Sequence, residues 1–179
     1  MNSVYFHRIQ EYVLTHFYLF VFRGKPGKLI FIDIDHTLAD TAMILGPRAK
    51  IHKVDYAIFQ PMYQLVKDLF QQNEKVYFLS ARQLSTYLIT RRWLAAIGLK
   101  KYTNRLLFAK SPMHKVNLIR RLTKRGWKIT LIDDMAYNYD RGQPDFYTLE
   151  LKALNQLQIV HLYFYFINRL NKTSLAVKN

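Results

Sequence analysis

Short apolar runs that each end on polar groups set the rhythm of this chain. Leu29 to Ile32 leads into Asp33, Lys75 to Leu79 into Ser80, and Lys128 to Ile132 into Asp133 and Asp134, while Arg105 to Ala109 forms a further short run. An apolar run without alternation is what a parallel strand shows when both its faces are covered. Between these runs the apolar positions recur at helical spacing. Pro61 to Phe70 and Leu84 to Ile97 read as helices, and a third begins near Lys115, with Val116, Leu118, Ile119 and Leu122 on one side and Ser111-Pro112 as its start signal. Strands alternating with helices predict a three-layer α/β domain with a mainly parallel, Rossmannoid sheet.

The ends of the chain read differently. Val4 to Phe22 is apolar but is interrupted by His7, Arg8, Gln10, Glu11 and His16, and its cleanest part, Tyr12 to Phe22, falls short of the ~20 residues that span a bilayer. No small-residue cleavage site follows. A helix docked on the sheet or in a subunit contact is expected, with attachment to a membrane surface the lesser alternative. Arg23 to Lys28 is a short basic linker. Leu149, Leu151, Leu154 and Leu157 suggest a helix, whereas Ile159 to Ile167 is apolar on every side and fits either a strand or the end of a buried helix. The expected organisation is an N-terminal helix and linker over 1–27, one α/β domain over 28–170, and a polar, frayed tail over 171–179.

Chemistry gathers beyond the carboxyl ends of strands in open α/β sheets, and Asp33 and Asp35 fall there. Two residues apart on an extended chain they share a face, so one carboxylate can attack phosphorus while the other handles the leaving group's proton. The plainer alternative is an Asp-rich polar turn. Ser80 and Arg82 suit phosphate, Arg82 through its planar fork of donors, although Ser80 alone reads equally as a helix cap. Asp133 and Asp134 repel each other, and a hard divalent cation such as Mg²⁺ relieves that repulsion. Lys115 is placed to hold a phosphate as a point charge, with Lys110 as its rival.

Asp33-x-Asp35-x-Thr37, then Ser80, then Lys115, then Asp133-Asp134, in this order, resembles the haloacid dehalogenase superfamily of phosphohydrolases over roughly Lys28 to Asp145. The resemblance implies that Asp33 is a nucleophile forming an aspartyl-phosphate and Asp35 the acid that protonates the leaving group and then activates water. It implies that Thr37 and Ser80 steady the site and that Lys115 binds phosphate. Mg²⁺ would be held by Asp33, the backbone carbonyl of Asp35, and Asp133, with Asp134 as helper or substitute ligand. His36 stands where glycine is common, as a residue of the site's rim. Ser80-Ala81-Arg82 is similar to the variant in polynucleotide phosphatases and lipin-type lipid phosphatases, which makes these residues candidate substrate contacts.

Only the stretch within 38–60 is free to act as a cap, so any cap is small, an arrangement that resembles members acting on bulky or polymeric substrates. With 179 residues, 50% of them hydrophobic, the chain can pack a real core, and the absence of cysteine is compatible with a reducing, cytoplasmic setting. Twenty-seven Lys and Arg against 12 Asp and Glu leave a net charge of +15, which draws polyanions. Nucleic acid is the partner class this favours, with a membrane surface second and self-association through the apolar ends a further option. A Mg²⁺-dependent phosphomonoesterase acting on a nucleotide or polynucleotide end is therefore expected. The alternatives are a lipid or small-metabolite phosphatase at a membrane surface, or a binding module that keeps the site without turnover.

Overall fold

The computed structural model describes residues 3–41, 57–72, 74–137, 145–166 and 173–178. In chain order the elements are α1 (Ser3–Val21), β1 (Lys28–Ile32), β2 (Ala39–Asp40), β3 (Ala57–Ile58), α2 (Gln60–Gln71), β4 (Val76–Ser80), α3 (Tyr87–Leu94), β5 (Leu106–Phe108), α4 (Pro112–Lys124), β6 (Lys128–Ile132), β7 (Ala136–Tyr137), β8 (Asp145–Phe146), α5 (Thr148–Leu154), β9 (Val160–Phe166) and β10 (Thr173–Lys178). Six strands form the main sheet in the order β10-β9-β6-β1-β4-β5. All neighbours pair in parallel except β10, which runs antiparallel to β9.

The unbroken apolar runs have the expected cause, because successive side chains of a strand point to opposite faces and both faces are covered. Leu29 and Phe31 of β1 join Tyr18, Leu19 and Phe22 of the N-terminal segment and Val116, Ile119 and Leu122 of α4 in one core. Ile30 and Ile32 join Met62, Val66 and Phe70 of α2 and Trp93 and Leu94 of α3 in the other. The domain is thus a three-layer α/β sandwich, with α1, α4 and α5 on one face and α2 and α3 on the other. Phe31, Phe78 and Phe108 are fully buried, each stabilising the fold by roughly 1.5–3 kcal/mol.

Topology fixes where a site can form. From β1 the chain steps outward to β4 and β5, then returns through α4 to β6 on the other side of β1. The gap beyond the ends of β1 and β6 is therefore the switch point where open α/β sheets place ligands.

Three sequence expectations change. The alternatives for Ile159 to Ile167 resolve to a strand, because β9 extends the sheet in parallel from β6. The frayed tail is a correction: Thr173–Lys178 is β10, its backbone groups paired with β9 from Thr173↔Phe166 to Lys178↔His161. The helix expected over 84–97 is shorter, a 3₁₀ turn followed by α3, and a wide turn then closes on Gly98 at φ +87°, a left-handed conformation that glycine adopts without a Cβ penalty. The stretch expected to hold a small cap is bracketed by β2 and β3, which pair antiparallel; residues 42–56 between them, with Arg48, Lys50 and Lys53, lie outside the described residues. Among the described residues no helix is long and apolar enough to cross a membrane.

Candidate active site

Three elements carry charged groups to the switch point. β1 delivers Asp33, whose N–H donates to the Ile132 carbonyl at 2.9 Å and so ties the loop to β6. The chain then turns tightly, with Leu38 and Ala39 N–H donating to the Ile34 carbonyl at 3.0 and 2.8 Å and His36 N–H to the Ala39 carbonyl at 2.8 Å. His36 stands at φ +56°, which explains why glycine suits this position, and it is buried rather than on the rim. β6 delivers Asp133, whose Oδ1 accepts the Met135 N–H at 2.8 Å. α4 starts at Ser111, whose side chain caps it by accepting the His114 N–H at 3.1 Å, and its first turn brings Lys115 inward.

Lys115 is the hub. Its Nζ donates to Asp33 Oδ1 at 2.7 Å and to Asp133 Oδ2 at 2.8 Å, with all three side chains almost wholly buried. Lys110, the rival lysine, donates instead to Gln10 Oε1 of α1 and takes no part. Burial pushes the Asp33 carboxyl up; Lys115 pulls it down, Asp133 and Asp35 push it up again, and the balance is about 7. Burial alone would lower the Lys115 ammonium, but the attraction of Asp133 and Asp33 dominates and raises it, so it stays charged.

Asp35 takes a different set of partners. Arg82 grips it with both prongs, Nε to Oδ2 and Nη2 to Oδ1, each at 2.7 Å, and braces its third nitrogen on Thr90 Oγ1 at 3.0 Å. Ser80 Oγ donates to Asp35 Oδ2 at 3.4 Å. Burial pushes Asp35 up, yet the Arg82 hydrogen bonds and charge outweigh it, and the carboxyl is held below its ordinary range. Asp33 and Asp35 thus share one strand end but face opposite neighbours, Asp33 toward β6 and α4 and Asp35 toward β4. Ala81 is half-buried between Ser80 and Arg82.

Among the described residues, Asp33, Asp133 and Asp134 could hold a metal, each offering a carboxylate oxygen within 4.8 Å of the others. Thr37, fully buried, donates to Asp134 Oδ1 at 3.3 Å. An anionic, all-oxygen donor set fits a hard cation such as Mg²⁺. The side chain of Asp35 lies outside this set, which leaves only its backbone carbonyl for that role.

Sequence reasoning passed over Thr41, Thr90, Tyr147 and His161. Thr41 hydrogen-bonds Asp35 and lies 3.4 Å from His36 Nε2. Tyr147 N–H donates to the Met135 carbonyl at 3.0 Å, and its phenol is raised first by burial, with Lys115 opposing and the three clustered acids adding to the rise. His161 is pushed down by burial against the pull of Asp133; the neutral ring's Nε2–H donates to the Asp133 carbonyl at 3.2 Å. None carries a local sequence signal: Thr41 follows β2, Thr90 lies in α3, Tyr147 precedes α5 and His161 arrives through the pairing of β9 with β6.

No family model matches the chain. A stretch of 120 residues, 67% of the chain, is 29% identical to the DNA repair protein NreA of Haloferax volcanii and covers 25% of that protein. The chain thus spans about a quarter of the length of the curated relative it matches. Among solved structures, the class C acid phosphatase from Bacillus anthracis is similar at 18% identity, covering 74% of this chain and 62% of that one with a TM-score of 0.47. The p-nitrophenyl phosphatase from Archaeoglobus fulgidus is similar at 17% identity, covering 79% and 59% with a TM-score of 0.35.

Proposed function

We propose that this chain hydrolyses phosphate monoesters, with Asp33 as the nucleophile. The observation that carries the reading is the convergence at the β1–β6 switch point of Asp33, Asp133 and Asp134 around the buried ammonium of Lys115. Three acids beside a lysine match what phosphoryl transfer demands: an anionic nucleophile, charge to neutralise the transferring oxygens, and fixed positions for both.

In this mechanism an Asp33 oxygen attacks phosphorus as the bond to the leaving oxygen breaks, giving an acyl phosphate. Lys115 steadies the phosphoryl oxygens and balances the acids. A Mg²⁺ ion held by Asp33, Asp133, Asp134 and the Asp35 carbonyl would supply charge neutralisation on those oxygens. Asp35 must carry a proton to give to the leaving oxygen, and its pair with Arg82 opposes this. Arg82 therefore turns from Asp35 to the substrate phosphate as substrate enters, where its fork suits anionic oxygens. Asp35, left as a carboxylate, then takes a proton from the water that attacks phosphorus and returns Asp33 to its starting form.

The substrate class we propose is a phosphorylated nucleotide or polynucleotide end, which the net charge of +15 favours. The stretch that is 29% identical to a protein named for DNA repair agrees with that choice. The hold of Arg82 on Asp35 favours a second reading, a binding module that keeps the constellation without turnover. Phosphate release from p-nitrophenyl phosphate, nucleotides, phosphorylated oligonucleotides and sugar phosphates, with Mg²⁺ or with EDTA, separates them. Mg²⁺-dependent release that is fastest on oligonucleotides and weakens with salt supports the first; no turnover on any substrate supports the second.

A further inference from the structure

From Ile9 to Val21 the solvent-facing half of α1 is largely apolar. Ile9, Tyr12, Val13, Phe17, Phe20 and Val21 are between 42% and 63% exposed, and at 3.6 residues per turn they fall on one stripe along the helix. His16 and Gln10 are its polar members: His16 lies against the Tyr12 ring with centroids 3.9 Å apart, and the half-buried Gln10 accepts from Lys110 Nζ. The opposite half, with Thr15, Tyr18 and Leu19, is already spent on the domain's core. Folding within the domain therefore does not explain the outer stripe, and a continuous exposed patch of this kind marks an interaction surface.

A second feature borders the first. Between α1 and α4 lies a groove of about 540 Å³ whose walls include Tyr12 from the stripe and Arg120, Arg121 and Lys124 from α4. The acid in its lining, Glu11, accepts a hydrogen bond from Ser111 Oγ at 3.4 Å. Arg120 is held by Asn117 Oδ1 at 2.8 Å, and among the described residues no ion pair engages Arg121 or Lys124. At the end of the stripe the Arg23 guanidinium sits 4.3 Å from the centre of the Phe20 ring. The apolar stripe is thus flanked by cations along its groove side and at its C-terminal end.

We infer that this face docks on an anionic lipid bilayer, with α1 lying in the plane of the interface, its apolar stripe among the upper acyl chains and the α4 groove holding headgroup phosphates. The pairing of the two features selects the occupant. A nucleic acid would fill the groove but leave the stripe in water. A second copy of the chain would cover the stripe but bring like-charged rows together on molecules of net charge +15. An anionic bilayer uses both, through apolar contact on one side and attraction of basic side chains on the other. The inference does not depend on the chemistry proposed for the acidic site.

Flotation with vesicles of phosphatidylcholine alone, and of equal parts phosphatidylcholine and phosphatidylglycerol, tests it on the whole chain. The protein is expected to float with the mixed vesicles, less so as salt rises, and not with the neutral ones. Replacing Phe17→Ser with Phe20→Ser, or Arg121→Gln with Lys124→Gln, should each lower the partition coefficient about tenfold or more. All four side chains are exposed or partly so, and the melting curves of both variants should match that of the original chain. No flotation with mixed vesicles overturns the inference, as does flotation to which both pairs are indifferent. A light-scattering dimer that the Phe17, Phe20 pair dissolves assigns the face to a second copy and overturns it too. So does binding of duplex oligonucleotide, lost with Arg121 and Lys124, by a chain that ignores vesicles.

Discussion

Replacing Lys115 with methionine is the most informative single perturbation of the site. The side chain is 4% exposed and bridges two carboxylates that are 8% and 2% exposed. Methionine keeps an unbranched stem of similar length but removes the ammonium, leaving Asp33 and Asp133 buried with no cation between them. Breaking a buried pair by deleting one partner costs about 3–5 kcal/mol, because the stranded charge cannot recover its hydration. For a chain of this size each kcal/mol moves the melting temperature by about 2–4 °C, so the expected fall is roughly 6–20 °C. Thermal and urea unfolding followed by circular dichroism at neutral pH, in EDTA, reads it directly. Two dependences identify the cause. Mg²⁺ should restore more stability to Lys115→Met than to the original chain, since a cation would then be the main balance for the acids. The deficit should also shrink as pH falls, because losing Lys115 removes a downward pull on the Asp33 carboxyl and lets it take up a proton sooner. A variant within about 1 kcal/mol of the original at neutral pH would refute the argument.

Other predictions follow from the same geometry. The folded-state Asp33 carboxyl is raised from its ordinary 3.8 to about 7, so the folded protein binds this proton more tightly than the unfolded chain does. Its contribution is present at pH below about 4 and is lost as pH rises through about 7; urea midpoints in EDTA should decline across that window, and Asp33→Asn should flatten the decline. Arg82→Lys keeps the charge but loses the fork that holds Asp35, and kcat/KM for the best substrate should fall by about one to two orders of magnitude in steady-state kinetics. Gly98→Ala places a Cβ at φ +87° and 3.2 Å from the Tyr63 hydroxyl, which itself donates to the Ile97 carbonyl at 2.6 Å. A loss of about 1–3 kcal/mol is expected by urea unfolding.

The central strands were legible because burial on both faces leaves a plain mark, an apolar run that stops where the chain reaches the site. Asp33, Asp133 and Lys115 were legible for the same reason: each sits at the edge of an element whose bounds the pattern reveals. β9 was ambiguous because an all-apolar run has no period to separate strand from helix. β10 was missed because its pairing depends on the backbone of β9, which a polar composition does not report. The divergence of Asp33 and Asp35 is set by their partners, Lys115 of α4 for one and Arg82 after β4 for the other, which a spacing of two residues does not report. The Arg82 grip on Asp35 spans 47 positions, and Tyr147 and His161 arrive from further still. Such contacts are products of topology, and no local pattern encodes them.

The most direct measurement is to quench turnover with borohydride, which reduces an acyl phosphate to an alcohol, and to locate the modified residue by peptide mass spectrometry. Reduction at Asp33, dependent on substrate and absent from Asp33→Asn together with activity, is the predicted result. Phosphate release that persists undiminished in Asp33→Asn, or reduction at another residue, would contradict the assignment of Asp33 as the nucleophile.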